Sequence, residues 1–114
     1  MNSPSKTKHP DMHFKVMNLI HNNPDITQRE LAKMTGVSLG SIHYCLKALV
    51  EKGLVKAGNF KRNPTKSMYL YLLTPEGIIQ KSKLAYDFLK RKKKEYDDLK
   101  YEIERLSSEL NNKK

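Results

Sequence analysis

The sequence contains no tryptophan and a single cysteine, Cys45. One thiol permits no disulfide within the chain, so the fold must hold by packing, and the composition fits a reducing compartment. Long apolar runs are also absent. No stretch approaches the roughly 20 residues needed to span a bilayer, and the opening Met-Asn-Ser-Pro-Ser-Lys-Thr-Lys-His lacks the apolar core of a secretion signal. The expectation is a soluble, cytoplasmic protein with no membrane partner. The sequence also lacks the usual signatures of catalysis: a glycine-rich phosphate loop, a Ser/His/Asp or Cys/His arrangement, an acidic metal cluster. His9 and His13 are spaced i,i+4, but Pro10 separates them, and zinc takes about three or four converging ligands. No enzyme activity, metal or cofactor is expected.

Acidic residues are scarce, at 12 Asp and Glu against 22 Lys and Arg, for a formal charge of +10. Such a surplus points to a polyanionic partner, either nucleic acid or an anionic membrane surface. Its distribution is uneven. Residues 1–80 hold 11 basic and 5 acidic side chains, residues 81–94 hold 7 and 1, and residues 95–114 hold 4 and 6. The basic surface ends where the C-terminal segment begins, so the two parts are expected to do different jobs.

Residues 26–55 organise the rest. Thr27 followed by Glu30 forms a capping box, which predicts a helix start, and Ser38 is the N-cap of a second helix. Between them Thr35-Gly36-Val37 makes a tight turn, with Gly36 where the backbone needs positive φ. The first of these helices is expected to bury Leu31, Ala32 and Met34. The second buries Ile42, Cys45, Leu46 and Leu49, spaced i, i+3, i+4, i+7, and ends at Gly53. A short helix, a turn and an amphipathic helix form a helix-turn-helix. Ahead of it a helix from Pro10 carries Phe14, Val16, Met17 and Ile20 and ends at Asn22-Asn23-Pro24-Asp25. After it Leu54-Val55 starts an extended run, residues 59–66 form a polar basic tip, and Met68–Leu73 is rich in strand formers. A β-hairpin directly after the second helix makes the unit a winged helix-turn-helix.

These motifs resemble the MarR group of bacterial winged-helix regulators. Ile26–Ala32, Ser38-Leu39-Gly40 with Tyr44–Leu49, and Tyr69–Pro75 with Gly77-Ile78 are similar to the small EPS-associated MarR-type regulators, from about residue 12 to about residue 110. The resemblance implies double-stranded DNA as partner, nucleoid association, and a role near exopolysaccharide biosynthesis genes. It also implies that the extra helices forming the dimer body and ligand cleft of larger MarR proteins are missing, so no small-molecule effector is expected. Cys45 is expected to be a buried, inert thiol; because some MarR-type proteins sense oxidants through cysteine, a redox role is the alternative.

The face of the second helix opposite its apolar stripe carries Gly40, His43, Tyr44 and Lys47, with Ser38, Leu39 and Ser41 at its N-terminal end. Those positions enter a major groove in helix-turn-helix proteins. Serine hydroxyls meet phosphates or base edges, Lys47 meets phosphate or guanine, and Gly40 lets the helix come close. At the wing, Arg62 suits a minor groove, with Lys61, Asn63 and Lys66 beside it. The plain reading of both faces is solvated surface, but an acid-free run carrying Tyr, His and Gly together is unusual for that.

Thr74-Pro75-Glu76-Gly77 predicts the start of the last helix, with Thr74 as N-cap and Pro75 in the first turn. Nothing breaks it before about Leu110, a span of about 54 Å at about 1.5 Å per residue. Leu89, Tyr96, Ile103 and Leu110 recur every seventh residue, with Leu99 and Leu106 between them, an a/d heptad seam that favours a two-stranded coil. Lys92 weakens the seam at its start. Glu95 at g would face Lys100 at e of a parallel partner, whereas an antiparallel pair would set glutamates against each other. The plainer alternative is a lone amphipathic helix folding back on its own domain.

The expected architecture is therefore mainly α with a small β-hairpin wing. Residues 1–9 form a disordered basic tail, 10–80 the DNA-binding domain, and 81–114 a helix that dimerises as a parallel coiled coil. The rival functions are a protein-interaction adaptor on the winged fold and a general basic binder of RNA or membranes.

Overall fold

The structure, a computed structural model, describes residues 4–112 except 64 and 65; the side chains of residues 4–9 and 61–68 lie outside the description. In chain order it has helices α1 (Pro4–Asn22), α2 (Gln28–Thr35) and α3 (Leu39–Glu51), strands β1 (Val55–Asn63) and β2 (Lys66–Leu73), and helix α4 (Pro75–Asn112). The chain divides into two compact units, Met1–Leu84 and Ala85–Lys114.

Local chemistry accounts for most boundaries. The Thr27 hydroxyl accepts from the Glu30 amide at 3.1 Å, and the Glu30 carboxylate accepts from the Thr27 amide at 2.8 Å, so the capping box is complete. Gly36 closes α2 at φ 76° and Gly53 follows α3 at φ 73°, the only positive-φ positions among the described residues. The strands pair antiparallel from Val55↔Leu73 outward to Asn63↔Lys66, with an irregularity between Lys61 and Asn63. The strands therefore run further into the polar tip than expected, because a hairpin needs only about two residues to turn. Pro64 and Thr65 lie outside the described residues.

The core of the first unit is built by Val16, Met17 and Ile20 of α1, Ile26, Leu31 of α2, Ile42 and Leu49 of α3, Val55 and Tyr71. Each fully buried aliphatic side chain among them stabilises the unit by about 1.5–3 kcal/mol. The Tyr71 hydroxyl accepts from the Gln28 amide nitrogen at 3.1 Å, which fastens the hairpin to α2. No buried side-chain polar atom lacks a partner among the described residues.

Two expectations need correction. Met34 is 64% exposed, not buried. At about 100° per residue the buried sector of α2 centres between Leu31 and Ala32, and Met34 falls outside it. Helix α1 begins at Pro4 rather than Pro10, so residues 4–9 of the expected disordered tail have helical backbone, with Pro10 inside the helix. Pro4 suits a first turn, Ser5–His9 contain no breaker, and Pro10 withdraws one amide donor without ending the helix.

The start of α4 is a junction. The Thr74 hydroxyl accepts from the Gly77 amide at 3.0 Å and donates to the Gly53 carbonyl at 2.6 Å, while the Thr74 amide donates to the Leu54 carbonyl at 3.1 Å. Gly77 is buried, and a Cβ there would collide with the Leu54 carbonyl oxygen. One threonine thus caps α4 and ties it to the end of α3, and the missing side chain at Gly77 permits the approach. The second unit is the remainder of α4. From Leu89 to Asn112 every residue is exposed. Its ion pairs, Lys92–Glu95, Lys94–Asp98 and Arg105–Glu109, lie within the helix surface.

Candidate nucleic-acid interface

Helix α3 divides cleanly. Ile42, Cys45, Leu46 and Leu49 are buried, while Leu39, Gly40, Ser41, His43, Tyr44 and Lys47 are exposed, as is the cap residue Ser38. The division follows from an apolar stripe at helical spacing set against a polar remainder. Tyr44 stands 69% exposed, a large ring with no neighbour to bury it.

The two serines at the start of α3 differ in what they have left to offer. Ser38 Oγ accepts from the Ser41 amide at 3.1 Å and donates to Ser41 Oγ at 3.0 Å, so the cap uses its hydrogen. The Ser41 hydroxyl accepts that bond and keeps its own hydrogen for an outside acceptor. Gly40 is equally informative. A Cβ there would meet nothing nearer than Ser38 Oγ at 3.9 Å, so internal packing does not require glycine at this position. Its bare backbone leaves room for something approaching from outside.

Lys61, Arg62, Asn63 and Lys66 sit by backbone at the far end of the hairpin, in register as Lys61↔Ser67 and Asn63↔Lys66. Their side chains lie outside the described residues. Further down the wing, Tyr69 is exposed and packs edge-on against Tyr71, with ring centroids 5.4 Å apart.

An open cleft of about 730 Å³ runs between α1 and α3, lined by Met12, His13, Ser38, Gly40, Tyr44 and Cys45 among others. Sequence reading missed this feature, since a lone chain pattern does not show which faces of two helices leave a gap. It shares Ser38, Gly40 and Tyr44 with the exposed face of α3, so anything filling it would compete with a ligand on that face. Cys45 stands in its wall. Burial pushes the thiol up from 9.0 to about 11, with the Lys52 charge pulling the other way. A thiol held protonated is a poor nucleophile. Among the described residues no group of His, Cys, Asp and Glu could hold a metal, and no helix is long and apolar enough to cross a membrane.

Residues 11–56 match the family model described as winged helix-turn-helix DNA-binding. The chain has a winged helix-turn-helix fold. Solved structures extend the likeness beyond the matched segment. A Mycobacterium tuberculosis MarR family protein, Rv2887, crystallised with p-aminosalicylic acid, is 16% identical, with TM-score 0.66 over 94% of this chain and 85% of its own. A PadR-like transcriptional regulator from Bacillus cereus is 17% identical, with TM-score 0.67 over 83% and 97%. Streptococcus pneumoniae FabT, crystallised with DNA, is 22% identical, with TM-score 0.53 over 88% and 69%. Other matched structures are longer, and the chain spans 57% of Lactococcus lactis ZitR and 50% of the zinc-dependent MarR family regulator AdcR. No curated protein sequence matches the chain. At these identities the solved structures establish the fold.

Proposed function

We propose that this winged-helix protein is a sequence-specific regulator of transcription that binds duplex DNA as a homodimer. The single observation that carries this reading is α3: its apolar residues are buried and Gly40, Ser41, His43, Tyr44 and Lys47 are presented together. The first turns of α3 enter the major groove, Ser41, Tyr44 and Lys47 meet base edges and phosphates, and Arg62 with Lys61, Asn63 and Lys66 lies at the minor groove. Two copies pair through the second unit, whose Leu89, Tyr96, Leu99, Ile103, Leu106 and Leu110 are 47–69% exposed. Soluble single chains tend not to leave such a stripe uncovered. The charge pattern, with Glu95 at g and Lys100 at e, favours parallel pairing. The resemblance to the EPS-associated group supports exopolysaccharide-associated genes as targets.

The adaptor alternative needs an apolar outer face on α3, and apart from Leu39, Tyr44 and Val50 that face is polar. The test is recovery of genomic fragments bound by the full chain, followed by titration with the enriched duplex, a scrambled duplex, RNA of the same length and anionic vesicles. Specific binding at salt near 0.15 M is expected to exceed scrambled-duplex binding by about a thousandfold or more. Equal affinity for all the polyanions would reduce the protein to a general basic binder.

A further inference from the structure

Helix α4 holds five consecutive cations, Lys90-Arg91-Lys92-Lys93-Lys94. At about 100° per residue, five consecutive positions encircle a helix. No rotation of α4 can therefore turn the whole group away from a helix packed beside it. Lys92 pairs with Glu95 at 3.3 Å and Lys94 with Asp98 at 3.0 Å, both on open surface where such pairs are weak. Lys90 and Lys93 have no ion pair among the described residues.

Pairing of two copies would concentrate this charge. On the heptad defined by Leu89, Tyr96 and Ile103, Lys92 falls at d and meets its counterpart across the seam. Lys93 falls at e, where a parallel partner offers Phe88 at g instead of an acid. One heptad further on, Glu95 at g faces Lys100 at e, and the pattern becomes attractive. The lower heptads thus favour pairing while the cationic ring opposes it, over a rise of only about 6 Å.

We propose that Lys90–Lys94 is a phosphate-binding collar that holds back pairing of α4 until nucleic-acid phosphate neutralises it, so that two copies assemble on DNA. This rests on the α4 pairing proposed above. Because coupling is reciprocal, the factor by which phosphate strengthens pairing is the factor by which pairing strengthens phosphate binding. Salt then acts in two directions. It strengthens pairing of the free protein by screening the collar, and it weakens binding to DNA.

Sedimentation equilibrium of the full chain tests this, at about 50 and about 500 mM NaCl, and at the lower salt with inorganic polyphosphate of about fifteen units. The companion variant is Lys90→Gln with Lys92→Gln and Lys93→Gln, which keeps helix propensity and removes the charge that meets its counterpart across the seam; far-ultraviolet circular dichroism checks that it is folded. For the unaltered chain the dimer dissociation constant should fall about tenfold or more with salt, and similarly with polyphosphate. The variant should pair tightly at low salt and change less than about threefold under either condition. Pairing of the unaltered chain that ignores both salt and polyphosphate overturns the collar while leaving the coiled coil standing. Polyphosphate-driven association of the variant would trace to the winged unit and likewise overturns it. If both chains stay monomeric in every condition, the pairing of α4 fails, and the collar with it.

Discussion

Helix α3 and the C-terminal part of α4 both carry an apolar stripe, and the two stripes differ in width and in fate. In α3, Ile42, Cys45, Leu46 and Leu49 form a broad face that is buried inside the first unit. In α4, Leu99, Ile103, Leu106 and Leu110 keep to alternating steps of four and three residues and stay exposed. A broad stripe suits a core to which several elements contribute, whereas a narrow a/d seam suits a single partner helix. Width as much as hydrophobicity therefore distinguishes a residue that folds its own domain from one available to a second copy.

The sharpest way to break that comparison is to truncate one residue of each stripe. Leu49→Ala should lower the unfolding free energy of the winged unit by about 2–5 kcal/mol, the usual cost of a cavity at a fully buried leucine. Ile103→Ala should leave that transition in place in thermal or urea unfolding while raising the dimer dissociation constant about tenfold or more. Equal destabilisation of the winged unit by both would mean that the α4 stripe packs in the monomer.

Truncation after Lys94 removes the seam altogether. The winged unit should remain folded and sediment as a monomer, and affinity for a two-half-site operator should fall by a factor of about 10² or more, because the second binding event is no longer intramolecular. A truncated chain that still sediments as a dimer would place the interface in the first unit.

Two smaller effects sharpen the account of the exposed faces. Lys47→Ala should cost about 1–3 kcal/mol against the specific site and less against a scrambled duplex, as measured by fluorescence anisotropy. Equal losses would make Lys47 a phosphate contact only. Arg62→Ala should flatten the slope of log K against log salt by about 0.9, one phosphate contact. An unchanged slope and affinity would take the wing out of the interface.

The buried stripe of α3 has a chemical test of its own. With its thiol pushed from 9.0 up to about 11, Cys45 should be alkylated about a hundredfold more slowly than a free thiol near pH 8 in the folded chain, and at the ordinary rate in denaturant. The sign is that of a raised pKa: this group's contribution to stability is full below about pH 9 and is lost as pH rises through about 11. Rapid alkylation of the native chain would show that the stripe opens.

Most of the fold was legible because its signals are local. Thr27 with Glu30, Ser38, Gly36, Gly53 and Thr74 each specify a backbone state within a few residues, and each appears as its chemistry requires. The exposed set on α3 was legible for the same reason, since the period that buries Ile42 and Leu49 also turns Tyr44 and Lys47 outward. What was not legible depends on a third dimension. Met34 sits one step outside the buried sector of a two-turn helix, which too few residues define. Pro10 looked like a start because proline more often begins a helix than interrupts one. The cleft between α1 and α3, and the approach of Gly77 to Leu54, belong to pairs of elements rather than to either sequence stretch.

The hydrogen bond from Ser38 to Ser41 has a consequence for the operator. With one hydroxyl hydrogen committed, the proposed reading set is Ser41, His43, Tyr44 and Lys47, which contains no amide and no carboxylate; the first acid on that face is Glu51. An adenine edge, with its adjacent donor and acceptor, is best matched by Asn or Gln, and the amino group of cytosine by a carboxylate. Neither is available. Lysine offers donors alone, which suit the paired acceptors of guanine, while tyrosine and the bare backbone at Gly40 can accept a thymine methyl. The vocabulary of this helix is therefore weighted toward guanine and thymine on the strand it faces, and half-sites rich in those letters are the ones it should select.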